Sequence, residues 1–181
     1  MSLIDAYADE EMGHALGRVV DEGRGSLPFA LVHGEALVAC AAWALSEAGV
    51  LPVDARTTME GIVDAESALV LHDALCPMTP PGFIAACVRR ANDDGVVVVG
   101  TARALGGTGE VVVASPIVVP AAIVEQVSDL FHDAGVDFAE LTAALRDRTT
   151  VVTVEGPAAA ARVGDIDDVR ALEALTRPTV P

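Results

Sequence analysis

A formal net charge of −16 dominates this chain of 181 residues, because 27 Asp and Glu face only 11 basic side chains, all of them arginine. Nucleic acids and anionic membranes bind proteins through a positive face, so the charge argues against both kinds of partner. The three cysteines lack metal-ligand spacing, and neither a targeting pattern nor an apolar run of about 18 residues occurs. These features predict a reduced, cytoplasmic protein without a metal centre.

The N-terminal part of the chain is predicted to be mainly helical. Residues 5–22 place apolar side chains near one helical face, and Gly23 follows as a stop signal. After a short apolar run at 29–33, residues 35–48 form a second, largely apolar helix. Trp43 lies in this helix, and we expect it to be a core or interface residue.

The rest of the chain alternates strands with helices. Residues 68–72 are apolar and precede a proline-rich turn, as expected of a buried parallel strand. Further strands are predicted at 96–99, 110–114 and 149–154, and helices at 82–92, 120–134, 137–147 and 166–175, the last capped by Asp165. This alternation predicts a single α/β domain over residues 1–181, a three-layer sandwich with a mainly parallel sheet.

Ligands of such sheets bind at the carboxyl ends of the strands. Asp73 directly follows the strand at 68–72, and its carboxylate can accept a hydrogen bond from a sugar hydroxyl or hold a divalent cation. The alternative is that Asp73 caps the turn while His72 packs locally. Arg162, in the loop after the last strand, can bind a phosphate or remain solvated. Residues 24–26 are expected to connect elements rather than cradle a phosphate, since no apolar strand is predicted before them.

The segment Leu69-Val70-Leu71-His72-Asp73-Ala74, with Pro77 and Pro80-Pro81 after it, resembles the V-L-V-H-D-A-A-R-P segment of the methylerythritol phosphate cytidylyltransferases. The resemblance continues in order, since Ser115-Pro116-Ile117 is similar to the family's T-P-Q and Arg162-Val163 to its I-K-V-T. It covers residues 27–48 and 66–176, within a cytidylyltransferase-like region at 27–176. The family makes 4-diphosphocytidyl-methylerythritol from CTP. The resemblance therefore implies a Rossmann-like nucleotidyltransferase fold and a CTP-like nucleotide held with Mg²⁺, with Asp73 and Arg162 as nucleotide-binding positions.

Several charged positions of that family are altered here. The lysine after the family's first proline falls at Phe29, the arginine of H-D-A-A-R-P falls at Cys76, and a second lysine falls at Arg162. Arginine does not replace lysine geometrically against a phosphate. The family's glycine-rich CTP loop is interpreted as absent, because residues 1–25 are assigned to an N-terminal helix. We expect that helix to cover the exposed edge of a fold truncated at its first strands.

The altered charges predict a catalytically degenerate protein without catalytic residues, which acts as a binding or partner protein. It would pair with itself as a homodimer or with an active relative. The first alternative is an active nucleotidyltransferase with an altered substrate, which uses Asp73 and Arg162. The second alternative is a structural oligomerisation protein, for which Trp43 and the helix at 35–48 are candidate interface elements.

Overall fold

The centre of the molecule is a six-stranded mixed sheet. The computed structural model describes residues 15–54, 56–133 and 135–179. The strands in chain order are β1 (Ala15–Val20), β2 (Leu31–Val32), β3 (Glu35–Ala36), β4 (Val50–Pro52), β5 (Ala68–Asp73), β6 (Val97–Arg103), β7 (Val111–Val119) and β8 (Val151–Glu155). Strands β2 and β3 form a separate two-stranded hairpin, and the other six form the central sheet. Their order in the sheet is β4-β1-β5-β7-β6-β8. Strand β7 is antiparallel to both neighbours and the other pairs are parallel, which confirms the mainly parallel α/β prediction.

Helices cover both faces of this sheet. They are α1 (Leu37–Glu47), α2 (Met59–Asp64), α3 (Pro81–Asp94), α4 (Ala121–Val127), α5 (Phe138–Arg146) and α6 (Ile166–Leu175). One core cluster joins α1 and α3 to one face, and another joins α2, α4 and α5 to the opposite face. The result is the predicted three-layer sandwich, in which each face of the sheet buries apolar side chains. None of the helices in the described residues is both long and apolar enough to cross a bilayer.

Strand β5 lies at the centre of the sandwich, and every residue in it is buried. Leu69 and Leu71 belong to the cluster under α4 and α5, whereas Ala68 and Val70 belong to the cluster under α1 and α3. A strand buried on both faces reads as a continuous apolar run, which explains why the sequence predicts this element well. The position of Asp73 at its end is therefore fixed by packing on both sides.

The prediction of a helix at 5–22 is wrong for its described part, because residues 15–20 form strand β1. This strand pairs in parallel with β4 and β5 and lies within the sheet, so it does not cover an edge. Leu16, Val19 and Val20 mimic helical spacing, but Gly17 marks a close approach between strands. A Cβ atom at Gly17 would lie 2.6 Å from Val50 Cγ1. Residues 1–14 lie outside the described part.

Several other predictions differ from the structure. The strand predicted at 110–114 continues to Val119, so Ser115 lies inside the sheet. The helix predicted at 120–134 ends at Val127 and continues as a 3₁₀ turn at Ser128–Phe131. Trp43 is 61% exposed, so the first of its two expected places, the core, is wrong, whereas a place in an interface stays a prediction. The other predicted helices match their positions to within a few residues, and α6 has the predicted bounds, whereas α2 was not predicted.

Candidate functional site

Three connecting segments meet at the carboxyl edge of the sheet. Val20 at the end of β1 lies opposite Asp73 at the end of β5, so the turns that leave both strands are neighbours. The loop from β8 to α6 reaches the same edge, where Val163 donates its backbone N–H to the Leu75 carbonyl at 2.8 Å. This arrangement brings Arg24, Asp73 and Arg162 together, and we call these three residues the edge cluster.

Asp73 is the centre of the edge cluster, and its side chain is completely buried. Oδ1 accepts hydrogen bonds from Arg24 Nε at 3.2 Å and from the Leu75 backbone N–H at 3.0 Å. Oδ2 accepts from Arg24 Nη2 at 3.3 Å and from Arg162 Nε at 3.1 Å. A carboxylate offers about four lone-pair sites, so these four donors saturate it. The Leu75 contact is the turn cap that the sequence left open as an alternative role.

All hydrogen-bond donors of the Arg24 side chain also have protein partners. Besides its two bonds to Asp73, its Nη1 donates to the carbonyls of Glu22 and Gly135 at 3.1 and 3.0 Å, and its Nη2 donates to the Val136 carbonyl at 2.8 Å. These contacts use all five donors of a guanidinium group. The side chain is only 4% exposed. Arg24 therefore fastens the turn after β1, the end of β5 and the segment before α5 to one another.

Local backbone geometry places Arg24 in this position. Gly23 has φ +73°, a left-handed conformation that glycine adopts without strain, and a Cβ atom there would lie 3.0 Å from the Gly135 carbonyl oxygen. The guanidinium also lies over the Phe138 ring, 5.7 Å from the centroid. Sequence reasoning set residues 24–26 aside as a connection because it treated the segment before them as helical. Strand β1 does precede them, so that reason is wrong, and Gly23-Arg24-Gly25 is a G-x-G turn after the first strand.

Arg162 closes the cluster from the solvent side. Only its Nε contacts Asp73, and its side chain is 32% exposed. Among the described residues, Asp73 is the ion-pair partner of Arg162, and the contact is made through Nε alone. The structure thus brings the two sequence-predicted site residues, Asp73 and Arg162, into direct contact. Their role in binding a nucleotide stays a prediction.

His72 and Ser115 support the backbone beneath the cluster. The Ser115 hydroxyl accepts the Asp73 N–H at 3.1 Å and is hydrogen-bonded to His72 Nδ1. Burial lowers the pKa of His72 to about 4, against a smaller opposing effect of Asp73, so the ring is neutral at neutral pH. In either tautomer of the neutral ring, His72 Nε2 is buried without a hydrogen-bond partner among the described residues.

Two positions at which the family resemblance implies a cation are uncharged. Phe29 is 64% exposed and lines an open concavity with Ile166 on the outside of the fold. Cys76 is completely buried, and burial together with the neighbouring Asp73 raises the pKa of its thiol well above the usual range. Neither residue adds positive charge to the edge. Within the described residues, no group of three His, Cys, Asp or Glu side chains is arranged to hold a metal ion.

The comparisons with known proteins concern the fold. No protein-family model and no curated protein matches the chain. Among solved structures, 2-C-methyl-D-erythritol 4-phosphate cytidylyltransferase from Thermus thermophilus is similar with a TM-score of 0.58, at 20% identity over 90% of this chain and 98% of that one. The chain has the cytidylyltransferase fold.

Two further structures support the same assignment. The 4-diphosphocytidyl-2C-methyl-D-erythritol synthase from Anaerococcus prevotii has a TM-score of 0.58, at 12% identity over 91% of this chain and 96% of that one. A CMP:2-keto-3-deoxy-manno-octonic acid synthetase complexed with CTP has a TM-score of 0.57, at 13% identity over 90% of this chain and 98% of that one. The cytidylyltransferase fold implied by the motifs around Asp73 is thus confirmed.

Proposed function

We propose that this protein is a binding or partner protein built on the cytidylyltransferase fold, and that it does not catalyse nucleotidyl transfer at the edge cluster. The observation that carries the proposal is the saturated carboxylate of Asp73. A carboxylate that holds Mg²⁺ or a sugar hydroxyl needs a free lone pair facing the ligand. Here every lone-pair site is taken by an arginine or backbone donor, and the side chain has no solvent exposure.

Mg²⁺ does not fit the edge cluster in this arrangement. The metal is usually held by one or two carboxylates together with substrate phosphates. At Asp73 it would have to displace Arg24 or Arg162, and it would meet two guanidinium groups. Breaking a buried ion pair by removing one partner costs about 3–5 kcal/mol, which opposes such an exchange. The arginines therefore act as internal counter-ions of Asp73.

The charges available for transition-state stabilisation are also few. Phosphoryl and nucleotidyl transfer depend on cations and donors positioned around the phosphates. The loss of one such donor typically costs about 3 kcal/mol, or roughly two orders of magnitude in rate. Phe29 and Cys76 supply no charge, and the donors of Arg24 all point at protein acceptors. These features support a negligible rate of transfer.

A coupled pyrophosphate-release assay with CTP, Mg²⁺ and methylerythritol phosphate tests the proposal. We expect the signal to equal that of a reaction without protein. A turnover near 1 s⁻¹, which is within the ordinary enzyme range, would contradict it. Sedimentation velocity of the purified chain tests the accompanying prediction that it pairs with itself.

One observation favours a second candidate, an active nucleotidyltransferase with an altered substrate. The Nη end of Arg162 is partly exposed at the carboxyl edge, where it can meet a phosphate. Calorimetric titration with CTP and Mg²⁺ separates the two candidates. If the second is correct, Arg162→Gln abolishes the binding heat. The matched control is Arg103→Gln, because Arg103 is an exposed arginine that pairs with Glu155. It should leave the heat unchanged.

A further inference from the structure

A second concavity lies outside the edge cluster and is built mostly from apolar side chains. It has a volume of about 480 Å³ and lies between the β2–β3 hairpin, helix α1 and the segment that leads into α3. Its walls include Val32, Trp43, Ala44, Pro77, Met78 and Pro80. Small-molecule sites usually measure about 300–1,000 Å³ and are lined by apolar side chains with a few polar groups. We call this concavity the tryptophan pocket.

Trp43 is unusual among the residues that line this pocket because its large aromatic side chain is exposed. It is the single tryptophan of the chain, and it is 61% exposed although it lies on a helix that packs against the sheet. Its neighbours Ala41, Ala44 and Leu45 on α1 are buried, so Trp43 is not needed to complete the core. The face of an indole ring attracts cations more strongly than any other aromatic side chain.

The charges around the pocket have one sign. Glu35 lines it, and none of the arginines does. The chain as a whole carries a formal net charge of −16, which raises the local concentration of cations and lowers that of anions. Two other polar side chains of the lining have protein partners, since His33 Nε2 is hydrogen-bonded to Thr176 Oγ1 at 2.8 Å and Thr79 donates to the Cys76 carbonyl.

We infer that the tryptophan pocket binds a small organic cation with an apolar body, such as a protonated or quaternary amine. The apolar walls remove the body of the ligand from water. Trp43 and Glu35 provide the attraction for its positive charge. The inference goes beyond the proposed function, because no residue of the edge cluster lines this pocket. Failure of one proposal therefore leaves the other standing.

Fluorescence of Trp43 gives a direct test, because no other tryptophan contributes to the signal. The intact protein is titrated to about 20 mM with each of three probes at equal ionic strength, since ligands of this size commonly bind in the millimolar range. The probes are benzyltrimethylammonium, the neutral analogue 2-methyl-1-phenylpropan-2-ol and the anion phenylacetate. We expect saturable quenching by the cation, with an affinity about 2- to 30-fold above that of the alcohol. Phenylacetate should bind most weakly.

Two variants assign the effect to residues. Glu35→Gln should weaken binding of the cation and leave that of the alcohol unchanged. Glu125→Gln, on an exposed glutamate of α4 at the opposite face of the sheet, is the matched control and should change neither. Trp43→Leu, followed by calorimetry, should reduce the preference for the cation while the thermal transition stays cooperative. Equal affinities for all three probes, tighter binding of phenylacetate, or no binding by the folded protein would each overturn the inference.

Discussion

Replacement of Asp73 by alanine separates a structural role of this residue from a purely ligand-binding one. If Asp73 served only a ligand, its removal would abolish binding and leave the melting temperature unchanged. In the structure the carboxylate is instead the shared acceptor for Arg24, Arg162 and the Leu75 N–H. Asp73→Ala would leave the Arg24 guanidinium, which is 4% exposed, without its counter-charge. We therefore expect a large loss of stability.

The size of the loss follows from burial. Removal of one partner from a buried ion pair costs about 3–5 kcal/mol. The pair with Arg24 falls in this class, whereas the contact with Arg162 adds less, because that side chain is one-third exposed and its charge is screened by water. For a protein of this size each kcal/mol shifts the melting temperature by about 2–4 °C. The expected decrease is therefore roughly 6–20 °C.

Urea and thermal unfolding at pH 7 measure this decrease. The matched control is Asp129→Ala, since Asp129 also pairs with an arginine, Arg148, but on the surface. The control should leave the urea midpoint almost unchanged. If the melting temperature of Asp73→Ala differs from that of the parent protein by no more than that of the Asp129→Ala control, the structural role is refuted. Such a result would also remove the main support for the proposed function.

Three further predictions concern the sheet and its buried polar groups. Gly17→Ala should cost about 1–3 kcal/mol in urea unfolding because its Cβ has no room between β4 and β5, whereas Gly82→Ala, with open space around it, should not destabilise. Arg18→Met should maintain or raise the urea midpoint, because Arg18 Nη2 is buried without a partner among the described residues. Burial lowers the pKa of His72 from its ordinary 6.5 to about 4, so the unfolded chain gains its proton first as the pH falls. The stability that neutral His72 contributes is therefore complete above pH 6.5 and is lost as the pH falls towards 4. In His72→Asn the free energy of unfolding should accordingly decrease less between pH 7 and pH 5 than in the parent protein.

The parts of the fold that the sequence predicts correctly are those with strong local signals. Strand β5 is a continuous apolar run, and α6 begins at Asp165, whose side chain accepts the Asp168 N–H as a helix cap. The prediction for strand β1 failed because its pattern is ambiguous over six residues. Its decisive feature is the lack of space around Gly17, which depends on residues of β4 and β5 that are distant in sequence.

The site was predicted only in part for a similar reason. Asp73 and Arg162 both follow strands. Because the carboxyl ends of parallel strands meet at one edge of a sheet, the sequence predicts that both residues lie at that edge. Arg24 gave no such signal while β1 was interpreted as a helix. Its partners lie 49 residues away at Asp73 and 111 and 112 residues away at Gly135 and Val136. Only the folded arrangement shows that Arg24 donates two hydrogen bonds to the Asp73 carboxylate.

The two proposals together predict that this chain prefers a cationic ligand to an anionic one. A phosphate-binding edge needs positive charge that faces outward, but here Arg24 directs its donors at protein acceptors and Arg162 shares its charge with Asp73. The remaining surface is strongly acidic, and the tryptophan pocket carries a carboxylate at Glu35. The fold that holds CTP in one of the similar structures would in this chain favour a cation. Substitutions in the tryptophan pocket should therefore change ligand binding, whereas substitutions of Arg24 and Asp73 should act first on stability.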